Sequence, residues 1–220
     1  MNVQVVKSIL SSNDQVAAEN QTHFNECGIT AINFMASPGA GKTSVLLATA
    51  QRLPTHIRLG VIEGDLASSI DADTIAARNI PVVQINTGGN CHLDAPMIRS
   101  AFAHLPLADI DLLLIENVGN LVCTANFALG AHLAVIVASV PEGHDKPYKY
   151  PAMFAAADVV LLNKFDLAPI LEFDTDLFRR GVKMVNPKAQ VIPISCRIGV
   201  GMELWMSWLL NEFEQRHRVV

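Results

Sequence analysis

The feature that most constrains the fold of this chain is a short glycine-rich segment, A-S-P-G-A-G-K-T-S, at residues 36–44. It follows an apolar run at residues 29–35 and precedes an amphipathic run at residues 44–52, so it joins a predicted strand to a predicted helix. Gly39 and Gly41 let the backbone point several N–H groups at one anion, and the helix adds its positive N-terminal dipole end. The segment therefore predicts a phosphate-binding P-loop.

The side chains of this loop have predicted roles in nucleotide binding. We expect Lys42 to contact the β- and γ-phosphates and the Thr43 hydroxyl to bind Mg²⁺. The consensus G-x-x-x-x-G-K-[ST] has glycine where this chain has Ala36, a substitution that keeps the residue small. The loop residues predicted to bind nucleotide are Gly39, Ala40, Gly41, Lys42, Thr43 and Ser44.

Composition excludes several classes of protein. The net charge of −5 indicates no basic face for nucleic acid. The N-terminus lacks the pattern of a signal peptide and no apolar stretch reaches the length of a membrane span, so we expect a cytoplasmic protein with no membrane partner. In such a chain, the four cysteines are expected to be thiols or metal ligands rather than disulfides.

Apolar strand-like runs alternate with helical patterns along the chain. The runs predict strands at residues 29–35, 57–62, 82–85, 111–116, 133–140, 159–162 and 190–194. The helical patterns lie at residues 3–25, 44–52, 71–78, 91–104, 152–157, 174–185 and 202–215, the last with Trp205, Trp208 and Leu209 in the core. This alternation predicts an α/β fold of the P-loop NTPase type, with a mainly parallel twisted sheet and helices on both faces. Ligands then bind at the carboxyl ends of the strands.

Two carboxylates follow strand-like runs on the same expected edge of the sheet. Glu116 ends the strongest apolar run, where a Walker-B acid holds Mg²⁺, and Gly119 lets the backbone reach the γ-phosphate. Asp65 follows another run and is expected to act either on the metal-bound water or on the attacking water. Together with the loop, the pattern assigns catalysis to Lys42, Asp65 and Glu116, and magnesium binding to Thr43, Asp65 and Glu116.

A second motif predicts the base of the nucleotide. Asn163, Lys164 and Asp166 match N-K-x-D about 120 residues beyond the P-loop. The aspartate of this motif accepts hydrogen bonds from N1–H and the 2-amino group of guanine, and adenine lacks that amino group, so GTP is favoured over ATP. We therefore expect a single G domain over residues 1–220, with a helical N-terminal arm at 1–28 and a P-loop GTPase core at 29–220.

Cys91, His92 and Cys123 form a possible metal cluster. Each follows a predicted strand, and two thiolates and an imidazole suit Zn²⁺ or Ni²⁺, while three ligands leave a position for water, a second subunit or exchange. If the two strands are neighbours, the donor atoms converge. On spacing alone, an ordinary structural Cys-His pair explains the sequence as well as a metal site does. For Cys27 and Cys196, we expect small buried hydrophobes.

With these motifs identified, the chain closely resembles the HypB family, the GTPases that incorporate nickel into [NiFe] hydrogenases. The matching segments are S-P-G-A-G-K-T (37–43), V-I-E-G-D (61–65), Q-I-N-T-G (84–88), C-H-L-D-A (91–95), E-N-V-G-N-L-V-C (116–123), E-G-H-D-K-P-Y-K-Y-P (142–151) and L-N-K-F-D-L (162–167). The resemblance implies slow GTP hydrolysis, a homodimer when GTP is bound, and nickel delivery to the hydrogenase large subunit precursor with a HypA-type partner. It also implies that Cys91, His92 and Cys123 bind Ni²⁺ or Zn²⁺ at the dimer interface.

The chain departs from the family pattern at three points. It has no N-terminal cysteine motif and no histidine-rich stretch, so neither a separate high-affinity site nor nickel storage is expected there. Thr124 follows Cys123 where the family usually has proline, which leaves the rigidity of that ligand loop open.

Three other classes remain as alternatives. A urease accessory GTPase usually has a C-P-H metal motif, whereas this chain has C-H-L-D-A. A non-catalytic nickel- or zinc-binding protein would leave the intact P-loop without a use. A targeting or methylmalonyl-pathway GTPase would leave the cysteine and histidine cluster without one.

Overall fold

The computed structural model describes residues 9–66 and 68–217. The strands are β1 (Thr30–Ala36), β2 (Leu59–Asp65), β3 (Val82–Asn86), β4 (Leu112–Glu116), β5 (Leu133–Ser139), β6 (Val159–Asn163) and β7 (Gln190–Pro193). The helices are α1 (Ile9–Glu26), α2 (Lys42–Ala50), α3 (Ile70–Ala76), α4 (Ala95–Ala101), α5 (Lys146–Lys149), α6 (Pro151–Ala155), α7 (Thr175–Val185) and α8 (Met202–His217). The predicted N-terminal helix is α1; the part of that prediction at residues 3–8 lies outside the described residues.

All seven strands pair in parallel in one sheet, in the order β3-β2-β4-β1-β5-β6-β7. Alternate residues of the buried strands point to opposite faces, so the sheet needs helices on both sides. On one face, α2 and α8 pack on β1 through Phe34 and Trp205. On the other face, α1 and α4 cover one half around Phe24, and α6 and α7 cover the other half around Phe154. The predicted fold class is confirmed.

Helix α8 is fixed to the P-loop helix by a buried polar contact as well as by packing. Trp205 donates from Nε1 to Thr49 Oγ1 at 2.8 Å, and both residues are fully buried. Leu209 is also buried, as the helical spacing predicts. These contacts hold the last turn of α2 against α8 at the centre of the sheet.

Two of the element boundaries that differ from those predicted affect the functional residues. Strand β2 continues through Glu63 to Asp65, because Glu63 pairs with β4 and all three residues stay paired with β3. Helix α4 begins at Ala95, so Cys91 and His92 lie in the preceding loop instead of opening the helix. The Asp94 side chain accepts a hydrogen bond from the Met97 N–H and so caps the helix at that point.

The prediction for Cys27 is wrong. This cysteine is exposed at the end of α1, where the chain turns through Gly28 into β1. The apolar contacts between α1 and the sheet are made by Phe24, one turn earlier. Within the described part of the chain, no helix combines the length and apolar character needed to cross a membrane.

His132 joins the start of β5 to β1 and to the end of α1. Its Nδ1 accepts a hydrogen bond from the Ala31 N–H at 2.9 Å, so the neutral ring carries its proton on Nε2, which donates to Asn25 Oδ1 at 2.9 Å. Burial lowers the pKa of His132, and the nearby charges of Arg216 and His217 lower it further. Protonation of Nδ1 removes the acceptor for Ala31.

This arrangement predicts a loss of stability in mild acid. The unfolded chain protonates His132 near pH 6.5 and the folded chain only at lower pH, so His132 lowers the free energy of unfolding as pH falls below about 6.5. A His132→Asn variant keeps an acceptor near Nδ1 but does not titrate. We expect urea midpoints of the wild type to decline, relative to this variant, between pH 7.5 and 5.5. Parallel curves for the two proteins would contradict the assignment.

Candidate nucleotide and metal sites

The P-loop lies at the carboxyl end of β1 and turns into α2 through two glycines in the left-handed region. Gly39 has φ 74° and Gly41 has φ 97°, conformations that favour glycine. A Cβ at Gly41 would lie 2.6 Å from Asn163 Nδ2, so the position also lacks room for a side chain. Lys42 and Thr43 lie in the first turn of α2. Backbone N–H groups in the first turn of a helix have no carbonyl acceptor within the helix, so they can donate to a bound anion.

The N-K-x-D segment contacts the P-loop directly, a role that the motif does not predict. Asn163 donates from Nδ2 to the Ala40 carbonyl at 3.0 Å, and Lys164 donates from Nζ to the Gly39 carbonyl at 2.7 Å. Lys164 itself has a left-handed backbone, with φ 56°. The base-recognition segment therefore also fixes the shape of the phosphate-binding loop.

A cavity of about 240 Å³ lies between these two segments and the loop after β7. Its lining residues include Ser44, Asn163, Lys164, Asp166, Ser195 and Cys196. Asp166 accepts a hydrogen bond at Oδ1 from Ser195 Oγ at 2.6 Å, which fixes the orientation of the carboxylate. Sequence reasoning missed Ser195 and described Cys196 only as a buried hydrophobe, although burial does raise the pKa of the Cys196 thiol to about 11. The signal was their position directly after a strand, at the same edge as the other motifs.

A cluster of carboxylates lies beside the P-loop at the ends of β2 and β4. Thr43 donates from Oγ1 to Glu116 Oε1 at 2.8 Å. Glu63 and Glu116 are register partners on adjacent strands, and both are buried. Asp65, at the end of β2, accepts a hydrogen bond from the Ser68 N–H at 2.9 Å. The structure thus brings Thr43, Asp65 and Glu116 to one edge and adds Glu63, to which the sequence analysis assigned no role.

The electrostatics of this cluster fit a divalent cation. Burial raises the pKa of Glu63 to about 8, with Glu116 adding to the increase and Lys42 opposing it. Burial also raises the pKa of Glu116 to about 7, again opposed by Lys42. In residues 9–66 and 68–217, three buried side-chain oxygens have no hydrogen-bond partner: Ser37 Oγ, Glu63 Oε2 and Glu116 Oε2. All three belong to the P-loop or its edge, and such oxygens are the ligands that Mg²⁺ prefers.

Gly119 lies against the start of the P-loop. A Cβ at this position would lie 3.0 Å from the Pro38 backbone, and the adjacent Asn120 donates its N–H to the Ala36 carbonyl at 2.8 Å. The segment after β4 is therefore tied to the phosphate-binding loop before it reaches Cys123.

Cys91, His92 and Cys123 converge beyond this segment. One donor atom from each lies within 4.8 Å of the others, and Cys91 Sγ is 3.8 Å from His92 Nδ1. The His92 ring stacks on Phe127, with centroids 3.8 Å apart. A hydrogen bond with Cys91 raises the pKa of the Cys123 thiol. Two sulfurs and one imidazole at these separations suit a thiophilic transition metal with an open coordination position.

The strands that precede these ligands are not neighbours, because β2 lies between β3 and β4. The loop after β3 instead crosses the end of β2 at Gly64, where a Cβ would lie 2.7 Å from the Leu93 side chain. Leu93 then donates its N–H to Asn117 Oδ1 at 3.0 Å. The missing side chain at Gly64 thus allows the ligands to meet across an intervening strand.

Hydrogen bonds fix the loop that carries Cys123, although it lacks the family's proline. Asn120 Oδ1 accepts from the N–H groups of Val122 and Cys123. The Thr124 hydroxyl donates to the Asn120 carbonyl at 2.6 Å, and Thr124 is buried. Thr124 therefore orders this turn by a side-chain contact.

The fold and these two sites define the class: a P-loop nucleotide-binding protein with a cysteine–histidine cluster beside its phosphate site. The model of the family described as CobW/HypB/UreG, nucleotide-binding domain, matches residues 30–193. The chain therefore belongs to the CobW/HypB/UreG family, and its predicted resemblance to HypB is confirmed by its relatives.

Several similar proteins have a named role, and one of the similar crystal structures contains nickel. The hydrogenase maturation factor HypB of Rhizobium leguminosarum bv. viciae is 50% identical over 207 residues, which cover 94% of this chain and 69% of the relative. A more distant relative in Helicobacter pylori, named hydrogenase/urease maturation factor HypB, is 37% identical over 98% of this chain and 90% of its own. The crystal structure of HypB from Helicobacter pylori in complex with nickel has a TM-score of 0.89 at 37% identity, covering 94% and 97% of the two chains.

Proposed function

We propose that this protein is a GTP-hydrolysing metallochaperone that carries nickel and assists its insertion into [NiFe] hydrogenase. The names of its relatives and the nickel in a similar structure support the assignment. The observation that carries it is the short segment from Glu116 to Cys123, which begins at the predicted Mg²⁺ site and ends at a predicted nickel ligand. One continuous piece of chain therefore belongs to both sites.

In this proposal, the P-loop and the carboxylate cluster hold the triphosphate. Lys42 places a positive charge at the β- and γ-phosphates, and the Gly119 N–H contacts the γ-phosphate. Thr43 and Glu116 would hold Mg²⁺, which would neutralise charge on the phosphates. The half-buried Asp65, at the end of β2, would orient either the attacking water or a water on the metal ion. Guanine binds in the cavity beside Asp166, whose carboxylate accepts from N1–H and the 2-amino group.

Nickel is the cargo, held by Cys91, His92 and Cys123, and zinc competes for the same donor set. Three protein ligands leave a position through which the ion exchanges. In the proposal, GTP-dependent pairing of two chains brings two such sites together, and a HypA-type partner and the hydrogenase large subunit precursor receive the ion in the cytoplasm.

The two sites are linked by hydrogen bonds as well as by the chain. Asn117 follows Glu116 and is fully buried. Its Oδ1 accepts from the Leu93 N–H, one residue beyond His92, and its Nδ2 donates to Asn33 Oδ1 at 3.3 Å. A shift of the segment after β4 toward a γ-phosphate would therefore move Cys123 along the chain and His92 through Asn117.

This link predicts that nucleotide changes nickel affinity. We expect the Ni²⁺ dissociation constants of the GDP and GTP-analogue states to differ by roughly 5- to 150-fold, the range of ordinary coupling between sites. By linkage, bound Ni²⁺ changes GTP-analogue affinity by the same factor. The measurement is isothermal titration at one pH in a Cys27→Ser background, which removes the exposed thiol outside the site, with the oligomeric state monitored. Equal affinities in the two states would disprove the coupling.

Two alternative functions can be tested, one by measuring GTP turnover and the other by identifying which nickel enzyme the protein matures. A non-catalytic metal-binding protein would show no GTP hydrolysis when freed of bound nucleotide and supplied with Mg²⁺. A role in urease maturation is favoured by the name of the Helicobacter pylori relative, but the C-H-L-D-A motif favours the hydrogenase. Restoration of hydrogenase activity, rather than urease activity, in cells that lack the endogenous factor distinguishes the two.

A further inference from the structure

Helix α1 contacts both segments that supply the metal ligands. After His92 the chain runs to Ala95, at the start of α4, and after Cys123 it runs through residues 126–132 without a helix or strand. Two buried asparagines of α1, Asn13 and Asn20, touch both of these segments. They are seven residues apart, which places them on one face of the helix two turns from each other.

Each asparagine amide bridges the two segments. Asn13 accepts at Oδ1 from the Ala95 N–H at 2.8 Å and donates from Nδ2 to the Ala128 carbonyl at 2.9 Å. Asn20 donates from Nδ2 to the Ala95 carbonyl at 2.9 Å and to the Leu129 carbonyl at 3.1 Å. Asn13 is 4% exposed and Asn20 is fully buried, so water does not replace these bonds readily.

The bridged segments bear directly on the ligands. Ala128 follows Phe127, whose ring stacks on His92, so the bond from Asn13 also positions the surface that supports the imidazole. Gly130 approaches α1 so closely that a Cβ would lie 2.5 Å from the Ala17 carbonyl. Because residues 126–132 have no regular backbone ladder, these contacts with α1 set their path.

We propose that Asn13 and Asn20 are positioning residues of the metal site, which hold the segment of Cys91 and His92 at a fixed distance from the segment of Cys123. The proposal rests on the proposed nickel-binding function. Helix α1 also has an ordinary packing role, carried by Phe24, which belongs to the core on this face of the sheet. The two amides have a separate role, because their hydrogen bonds join the two ligand segments to each other through helix α1.

The test is a double variant, Asn13→Leu with Asn20→Leu, which keeps side-chain size and removes the bridges. Outer contacts that orient metal ligands typically change metal affinity by roughly 10- to 100-fold, and we expect a loss of Ni²⁺ affinity in that range with a weaker Ni–thiolate charge-transfer band. GTP-analogue affinity without metal should stay within about twofold, since neither asparagine contacts the P-loop or the base cavity. Gln15→Leu is the matched control, because this residue of α1 is exposed and its side chain donates to Glu19 of the same helix.

Each outcome has one interpretation. Wild-type Ni²⁺ affinity and spectrum in the folded double variant would overturn the proposal. An equal loss of metal and nucleotide affinity would also overturn it, because it would show general loosening. If the double variant does not fold, the same comparison is made with Asn13→Leu alone, which leaves the Asn20 bonds. If the wild type itself binds no Ni²⁺, the proposed function fails instead, and Zn²⁺ affinity of the same variants decides the positioning role.

Discussion

Steady-state GTP hydrolysis by a Lys42→Ala variant is expected to fall at least about 100-fold, because a preorganised charge at the transferring phosphoryl group contributes this much or more. Lys42 stands in the first turn of α2, and its charge opposes the increase that burial causes in the pKa of Glu63 and of Glu116. No other cationic side chain is predicted at the β- and γ-phosphates, since Lys164 donates to the P-loop backbone instead. The measurement is phosphate release at saturating GTP and Mg²⁺.

The control for this experiment is Lys183→Ala, which removes one positive charge from the exposed side of α7. It should leave turnover unchanged and show that net charge alone is not responsible. Circular dichroism confirms that both variants are folded. Wild-type turnover in a folded Lys42→Ala protein would show that this P-loop is not the hydrolytic site.

Much of the fold was predictable because buried parallel strands are nearly continuous apolar runs. Strand β4, at Leu112–Glu116, is fully buried and was recognised by its lack of polar alternation. The end of β2 was predicted too early because Glu63 and Asp65 are charged, and a charged residue after an apolar run usually indicates that the strand has ended. Their pairing depends on neighbouring strands, which local pattern does not reveal.

The site was predictable where its chemistry is local in sequence. The P-loop and N-K-x-D each carry their function within a few residues, so their placement follows from strand ends. The supports for the metal cluster are not local. Phe127 stacks on a histidine 35 positions earlier in the chain, and Asn13 bonds to residues 82 and 115 positions away. Such contacts require the tertiary structure, and neither an isolated asparagine in a helix nor a phenylalanine in a loop gives a sequence signal.

The second large effect concerns the base. An Asp166→Asn variant is expected to lose at least about 100-fold in GTP affinity and to prefer xanthosine triphosphate, since a site built to pair a polar group rejects a mismatched one strongly. Ser195 Oγ donates to Asp166 Oδ1 at 2.6 Å. In the variant, we expect the amide oxygen to keep this place, because the Ser195 hydroxyl already accepts from the Ile198 N–H at 3.4 Å and so offers its O–H to residue 166. The NH₂ then faces the base, where it opposes the 2-amino group of guanine and donates to O2 of xanthine.

Ser195 therefore makes the preference testable in a second way. Adding Ser195→Ala to Asp166→Asn removes the donor that holds the amide, so the amide rotates and the xanthine preference should shrink toward parity between the two nucleotides. Ser195→Ala alone should retain a preference for GTP, since both carboxylate oxygens of Asp166 accept. Fluorescence titration with GTP, ATP and xanthosine triphosphate measures all three variants. Unchanged GTP affinity in Asp166→Asn would place guanine recognition elsewhere, and an undiminished xanthine preference in the double variant would show that Ser195 does not orient the side chain.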